Sequence, residues 1–171
     1  MTDMGAAIED LRDEIIGMLP RLRRFARSLT RELHDADDLV QITVERALKR
    51  ADQFHKDSHL AGWLYGILRN AWIDECRSRQ RREPMHGPQE SAGEVSDPAA
   101  GSQAELLCVQ DALLQLPEEQ RLAVSLVLIE GFSYKEAAHI MNVPIGTLTS
   151  RLARGREALQ EMLSETPEAQ P

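Results

Sequence analysis

Apolar side chains along this chain recur three and four residues apart over most of its length, a spacing that predicts an all-α protein. In PRLRRFARSLTREL (residues 20–33), Leu22, Phe25, Ala26 and Leu29 share one face while arginines take the others. That pattern predicts an amphipathic helix begun by Pro20. HDADDLVQITVERALKRADQF follows, with Asp35 expected as N-cap and an acidic first turn suited to the helix dipole. Its apolar stripe is Leu39, Val40, Thr43, Val44, Ala47 and Leu48. A third helix is expected from about Ser58, with Trp63, Leu64, Ile67, Leu68, Ala71 and Trp72 at helical spacing. Arg77, Arg79, Arg81 and Arg82 crowd its end without an interleaved acid.

The periodicity then stops and restarts. LLCVQDALLQL (106–116) predicts a helix with Leu106, Leu107, Val109, Ala112, Leu113 and Leu116 inward. PEEQRLAVSLVLIEGF predicts another, opened by Pro117 with Glu118 and Glu119 and stopped by Gly131. In SYKEAAHIMNVPIGTLTSRLARGREALQEML, Ser133 and Glu136 fit a capping box, and Ala137, Ala138 and Met141 form a short stripe. Asn142 suits a left-handed turn; Pro144 restricts Val143 to extended geometry and starts the last helix. A short helix, a tight turn and a second helix with small and basic residues near its start form the helix-turn-helix pattern.

Between the two periodic halves lies EPMHGPQESAGEVSDPAAGSQAE (83–105), rich in Pro, Gly, Ser and Gln and poor in large apolar side chains. Such a stretch cannot bury enough surface to offset its ordering entropy, and reads as a flexible linker. The domains expected are therefore 1–83, a linker at 84–104, a second helical domain at 105–163 and a disordered tail at 164–171. Charge sharpens this picture. The chain's formal net charge is −8, but residues 84–120 alone carry seven acids and no base. The flanking regions are close to neutral, so the total does not forbid them a polyanionic partner.

That matters because the last helix carries Arg151, Arg154 and Arg156. A helix lying in a major groove needs small residues for close approach, here Gly146, Thr147, Thr149 and Ser150, followed by donors for phosphate and base edges. Leu148 and Leu152, four apart, would hold the opposite face to the core. The arginine-rich end of the third helix also points to phosphate. Trp63 reads as core, whereas Trp72 could be core or a stacking surface for bases. Cys76 and Cys108 have no CxxC or histidine at ligand spacing, so plain thiols are expected and a disulfide framework is excluded. The five histidines are scattered and no HExxH or Gly-rich phosphate loop occurs; no catalytic role, cofactor or metal is expected. No apolar run is long enough to span a membrane and the N-terminus lacks a signal-peptide pattern, which predicts a cytoplasmic protein.

Taken in order, DADDLVQITVERAL, WLYGILRNAWID, the linker and LPEEQRLAVSLVLIEGFSYKEAAHIMNVPIGTLTSRLARGRE resemble the extracytoplasmic-function (ECF) sigma factors of bacterial RNA polymerase, over roughly residues 18–163. The resemblance implies a sigma-2-like first domain and a sigma-4-like second one. Asp38, Leu39 and Gln41 would dock on the clamp helices of the polymerase's largest subunit. Asn70 would contact a flipped-out base of the minus-10 promoter element, aided by Trp72, with Arg77, Arg79, Arg81 and Arg82 along the adjacent backbone. Thr147, Thr149, Ser150, Arg151, Arg154 and Arg156 would meet the minus-35 element, and the first helices of the second domain the polymerase flap. An anti-sigma factor is the further partner implied, and no membrane contact. Because polymerase would supply most of the affinity, the acidic linker would discourage DNA binding by the free chain. Two positions depart from the family's habit: Thr149 stands where a basic residue is frequent, and Gly155 where alanine is, at about 1 kcal/mol of helix propensity.

Two other readings compete. A sigma mimic would bind an anti-sigma protein without reading DNA, but such a chain has no need of these basic positions. A stand-alone helix-turn-helix regulator would need a dimer element or effector domain, and residues 1–83 suggest neither.

Overall fold

Helix α1 spans Thr2–Leu29, α2 Leu33–Lys49 and α3 Leu60–Arg82. Then come α4 (Ser102–Gln115), α5 (Glu118–Val124), α6 (Tyr134–Met141) and α7 (Ile145–Ser164). This is a computed structural model describing residues 2–55, 57–82 and 102–165, whose regular elements are all helical, without strands. They fall into two units, one built on α1–α3 and one on α4–α7. Most of the segment read as a linker lies outside the described residues, as do 166–171 of the expected tail; α4 begins inside that segment, at Ser102.

In the first unit, Leu22, Phe25 and Ala26 of α1 and Leu64, Tyr65 and Leu68 of α3 are fully buried. The Phe25 and Tyr65 rings meet at 4.9 Å between centroids, tilted by 42°. Burying each large side chain contributes about 1.5–3 kcal/mol, which makes this aromatic contact a main support of the unit. Helix α2 adds Ala36, Leu39, Val40, Thr43 and Ala47. Thr43 lodges there because its hydroxyl donates to the Leu39 carbonyl at 2.7 Å. Phe54, after a 3-10 turn at Ala51–Gln53, stacks at 4.9 Å on Trp63 and closes the connection to α3.

Two expectations change here. Pro20 does not begin a helix but lies inside α1, because the apolar face continues upstream through buried Leu11 and Ile15. Asp35 is not the N-cap of α2; Glu32 holds that position, and Asp35 stands in the first turn. The third helix starts at Leu60, close to the start expected at about Ser58.

In the second unit, Leu122, Ala123, Val124 and Leu126 pack with Ala137, Ile140, Met141, Leu148 and Leu152. Helix α5 runs into a π-helical turn, Ser125–Ile129, in which the Glu130 N–H reaches the Ser125 carbonyl at 3.0 Å. Gly131, with φ +76°, ends it as expected, since a side chain is strained in that conformation. Helix α4 buries Ala112, Leu113 and Leu114, with Leu116 buried just after it, but Leu106, Leu107 and Val109 are exposed, contrary to expectation. Its buried positions lie toward its C-terminal end, so the apolar stripe outruns the contact with α7. Cys108 is exposed and Cys76 half-buried. Among the described residues no helix is long and apolar enough to cross a membrane.

Candidate nucleic-acid interface

The helix-turn-helix is built by local chemistry. The Ser133 hydroxyl accepts the Glu136 N–H at 3.2 Å and the Glu136 carboxylate accepts the Ser133 N–H at 2.8 Å, which completes the expected capping box. At the other end of α6, Asn142 adopts φ 54°, ψ 47°, and its N–H and that of Val143 return to the carbonyls of His139 and Ala138. Pro144 then caps α7, its carbonyl accepting from Thr147 and Leu148. The polypeptide turns in two residues with its amide groups satisfied, leaving α7 free to present one face.

That face is the predicted one. Leu148 and Leu152 are buried, while Thr149, Ser150, Arg154 and Arg156 are exposed and Thr147 is half-buried. The Thr149 hydroxyl donates to the Ile145 carbonyl at 2.8 Å, which keeps its lone pairs outward. Arg151 differs from the other two arginines. It is half-buried and its Nη2 lies 2.8 Å from the Glu119 carboxylate of α5. Nothing in the sequence pattern marks Glu119 for this pairing, because the contact joins two helices. Gly155 also finds its reason in this crossing: a Cβ there would come within 2.7 Å of Val124 Cγ2 and 3.4 Å of the Gln120 carbonyl. Arg121, equally unmarked in the sequence, donates to the carbonyls of Leu113 (3.0 Å), Leu114 (2.7 Å) and Leu116 (2.9 Å), closing the end of α4.

In the first unit a cleft of about 350 Å³ lies between α2 and α3, lined by Arg46, Arg50, Ile67, Arg69, Asn70, Ile73, Asp74 and Arg77. Asn70 and Arg77 were expected at a site; Arg46, Arg50 and Arg69 were not. Arg46 in the last turn of α2 and Arg50 just after it are four residues apart, but only the packing of α2 on α3 brings them to Asn70. The Arg69 Nη1 donates to Asn70 Oδ1 at 3.0 Å, so the Asn70 amide NH2 is the end left for a ligand. Arg46 is paired with Asp74 at 3.1 Å. Four guanidinium groups and one carboxylate, that of Asp74, thus line the cleft around the Asn70 amide.

Two expected members of this site are withdrawn. Trp72 is 4% exposed and offers no face for stacking. Arg79 is committed to the carboxylates of Asp35 and Glu75; its pKa is raised above the ordinary arginine value, first by the Asp35 hydrogen bond. It joins the start of α2 to the end of α3. Arg77, Arg81 and Arg82 remain exposed on that end.

On α2 the outward residues include Asp37, Asp38, Gln41 and Ile42, whereas Leu39 is buried and belongs to the core. The Asp38 carboxylate lies 3.7 Å from His34 Nε2, and Gln41 bonds Glu45 at 3.2 Å. Ile42 (39% exposed) and Leu33 (62%) add apolar surface that the stripe alone does not reveal.

Comparison with known proteins gives a consistent result for both units. A family model for sigma-70 region 2 matches residues 16–82, and one for sigma-70 region 4 matches residues 106–159. The chain is 39% identical over 155 residues to the ECF RNA polymerase sigma factor EcfG of Rhodopseudomonas palustris, covering 91% of this chain and 86% of that one. It is 37% identical over 143 residues to the ECF RNA polymerase sigma factor SigM of Mycobacterium tuberculosis, covering 84% and 71%. Among solved structures it is similar to the sigma factor RpoE of Bartonella quintana, crystallised in complex with the anti-sigma factor NepR. There the TM-score is 0.81 with 37% identity, covering 93% of this chain and 99% of that one.

Proposed function

The chain belongs to the ECF sigma factors of the sigma-70 family, and from that membership we propose how it recognises a promoter. Sigma factors are not catalytic; they give core RNA polymerase its choice of start site. Helix α7 enters the major groove of the minus-35 element, with Thr147, Thr149 and Ser150 permitting close approach and Arg151 reading a base edge. Arg154 and Arg156 contact phosphate and set position. The cleft beside Asn70 receives one unstacked nucleotide of the opened minus-10 strand. The amide reads its base while Arg50 and Arg77 neutralise the phosphate, with Arg81 and Arg82 along the backbone beyond. Unpairing is least costly where the duplex is already being opened, which suits a site that captures rather than melts.

The exposed face of α2, with Asp38, Gln41 and Ile42, docks on the polymerase, supported by Leu39 from behind. An anti-sigma factor holds the chain inactive by covering such polymerase-binding surface. The complex of the similar RpoE with NepR supports this partner. The observation that carries the reading is the division of α7 into a buried Leu148–Leu152 face and an exposed Ser/Thr/Arg face behind the tight turn at Asn142.

The test is run-off transcription by core bacterial RNA polymerase on pooled genomic promoter fragments, with and without the protein. Discrete start sites that require the protein are expected. Core polymerase binding without any new start site, across the whole pool, would instead favour a sigma mimic.

A further inference from the structure

Of the three arginines on the exposed side of α7, only Arg151 meets a carboxylate in the described unit, that of Glu119 at 2.8 Å. The Arg151 side chain is 23% exposed and the Glu119 side chain 68%, so the pair sits at the rim of the helix crossing, with the carboxylate reaching in from solvent. One turn further along α7, Gly155 lets α5 approach until a Cβ would clash with Val124, and Gln120, the neighbour of Glu119, supplies the next contacts. Backbone packing at this crossing therefore holds α5 and α7 close enough for the Glu119 and Arg151 side chains to meet.

A surface ion pair of this kind adds little to stability. Its effect on recognition is different in kind. Fixing one Nη of a rotamer-rich side chain before binding removes an ordering cost that is otherwise met at the interface. It also leaves the remaining guanidinium edge pointing one way. A carboxylate beside a DNA-facing helix repels phosphate wherever the complex forms, and that cost is offset only where Arg151 finds its base. Specificity gained by penalising the wrong site is the expected consequence.

We infer that Glu119 is a positioning residue for Arg151, and that it sharpens reading of one base in the upstream element at the expense of general DNA affinity. This rests on the reading of α7 as the minus-35 helix. The test uses the full chain with core polymerase, on a template library carrying every single-base change across the upstream element of a promoter that the protein uses. Arg151→Ala is expected to abolish discrimination at one position. Glu119→Gln is expected to weaken discrimination at that same position by roughly tenfold, with initiation from mismatched templates equal or higher. Glu119→Asp should recover part of it, and the Glu119→Gln, Arg151→Ala double variant should behave as Arg151→Ala alone.

An unchanged Glu119→Gln profile beside a position-specific Arg151→Ala defect would overturn the inference and spare the reading of α7. A uniform loss over all templates would also overturn it, since that is how a purely structural role behaves. An Arg151→Ala profile identical to that of the unmodified protein would overturn the base-reading role of Arg151, and the inference with it.

Discussion

Gly155 costs helix propensity and is retained by geometry. Alanine there would gain about 1 kcal/mol of propensity, but its Cβ would press on Val124 Cγ2 at 2.7 Å in a buried contact. Overpacking of that kind costs about 1–3 kcal/mol. Gly155→Ala is therefore expected to lower stability by about 1 kcal/mol in urea denaturation, and to become neutral or stabilising in a Val124→Ala background. Arg121 is the converse case, a charged residue retained for its fork. Replacing it by alanine leaves the carbonyls of Leu114 and Leu116 without this donor, while that of Leu113 keeps the Leu116 N–H. A loss of about 2 kcal/mol is expected by the same method, and lysine should restore less than half, because an ammonium cannot span the separate carbonyls.

At the scale of elements, α7 divides its arginines between two tasks. Arg154 and Arg156 are exposed, and their contribution should be electrostatic. Each alanine substitution is expected to weaken promoter binding by the polymerase complex about equally for all sequences, and to reduce the slope of log affinity against log salt by about 1. Binding titrations at several salt concentrations check this. The α6–α7 turn was legible in the sequence because everything that makes it is local: Ser133 and Glu136 three apart, Asn142 in the left-handed region, Pro144 behind Val143. The same local rules misplaced two starts. Pro20 reads as a beginning, yet Ile15 and Leu22 are buried on either side of it, and burial outweighs the missing amide. Asp35 reads as a cap, yet its carboxylate is taken by Arg79, forty-four residues away.

Contacts between helices account for the rest of what the sequence did not disclose. The four-arginine cleft, the Glu119–Arg151 pair and the burial of Trp72 all depend on which face meets which helix, and periodicity marks only that a face exists. Helix α4 makes the same point in reverse, with an apolar stripe that extends past its partners to leave Leu106, Leu107 and Val109 exposed.

At the scale of the whole molecule, charge and sites are separated along the chain. Along the sequence, Glu90, Glu94 and Asp97 fall between the helices that bear the Asn70 cleft and the unit that bears α7. Neutralising Glu90, Glu94 and Asp97 is expected to raise DNA binding by the free chain, in fluorescence anisotropy with a promoter fragment, while leaving the choice of start site unchanged.

The division of labour between the units is most directly tested by sequencing the transcripts that the polymerase complex makes from a library randomised across both promoter elements. Asn70→Ala and Arg151→Ala are compared with the unmodified protein. Asn70→Ala is expected to relax preference at one downstream position only, and Arg151→Ala at one upstream position only. If both substitutions relaxed the same element, or if neither changed any preference, the assignment of one promoter element to each unit would be wrong.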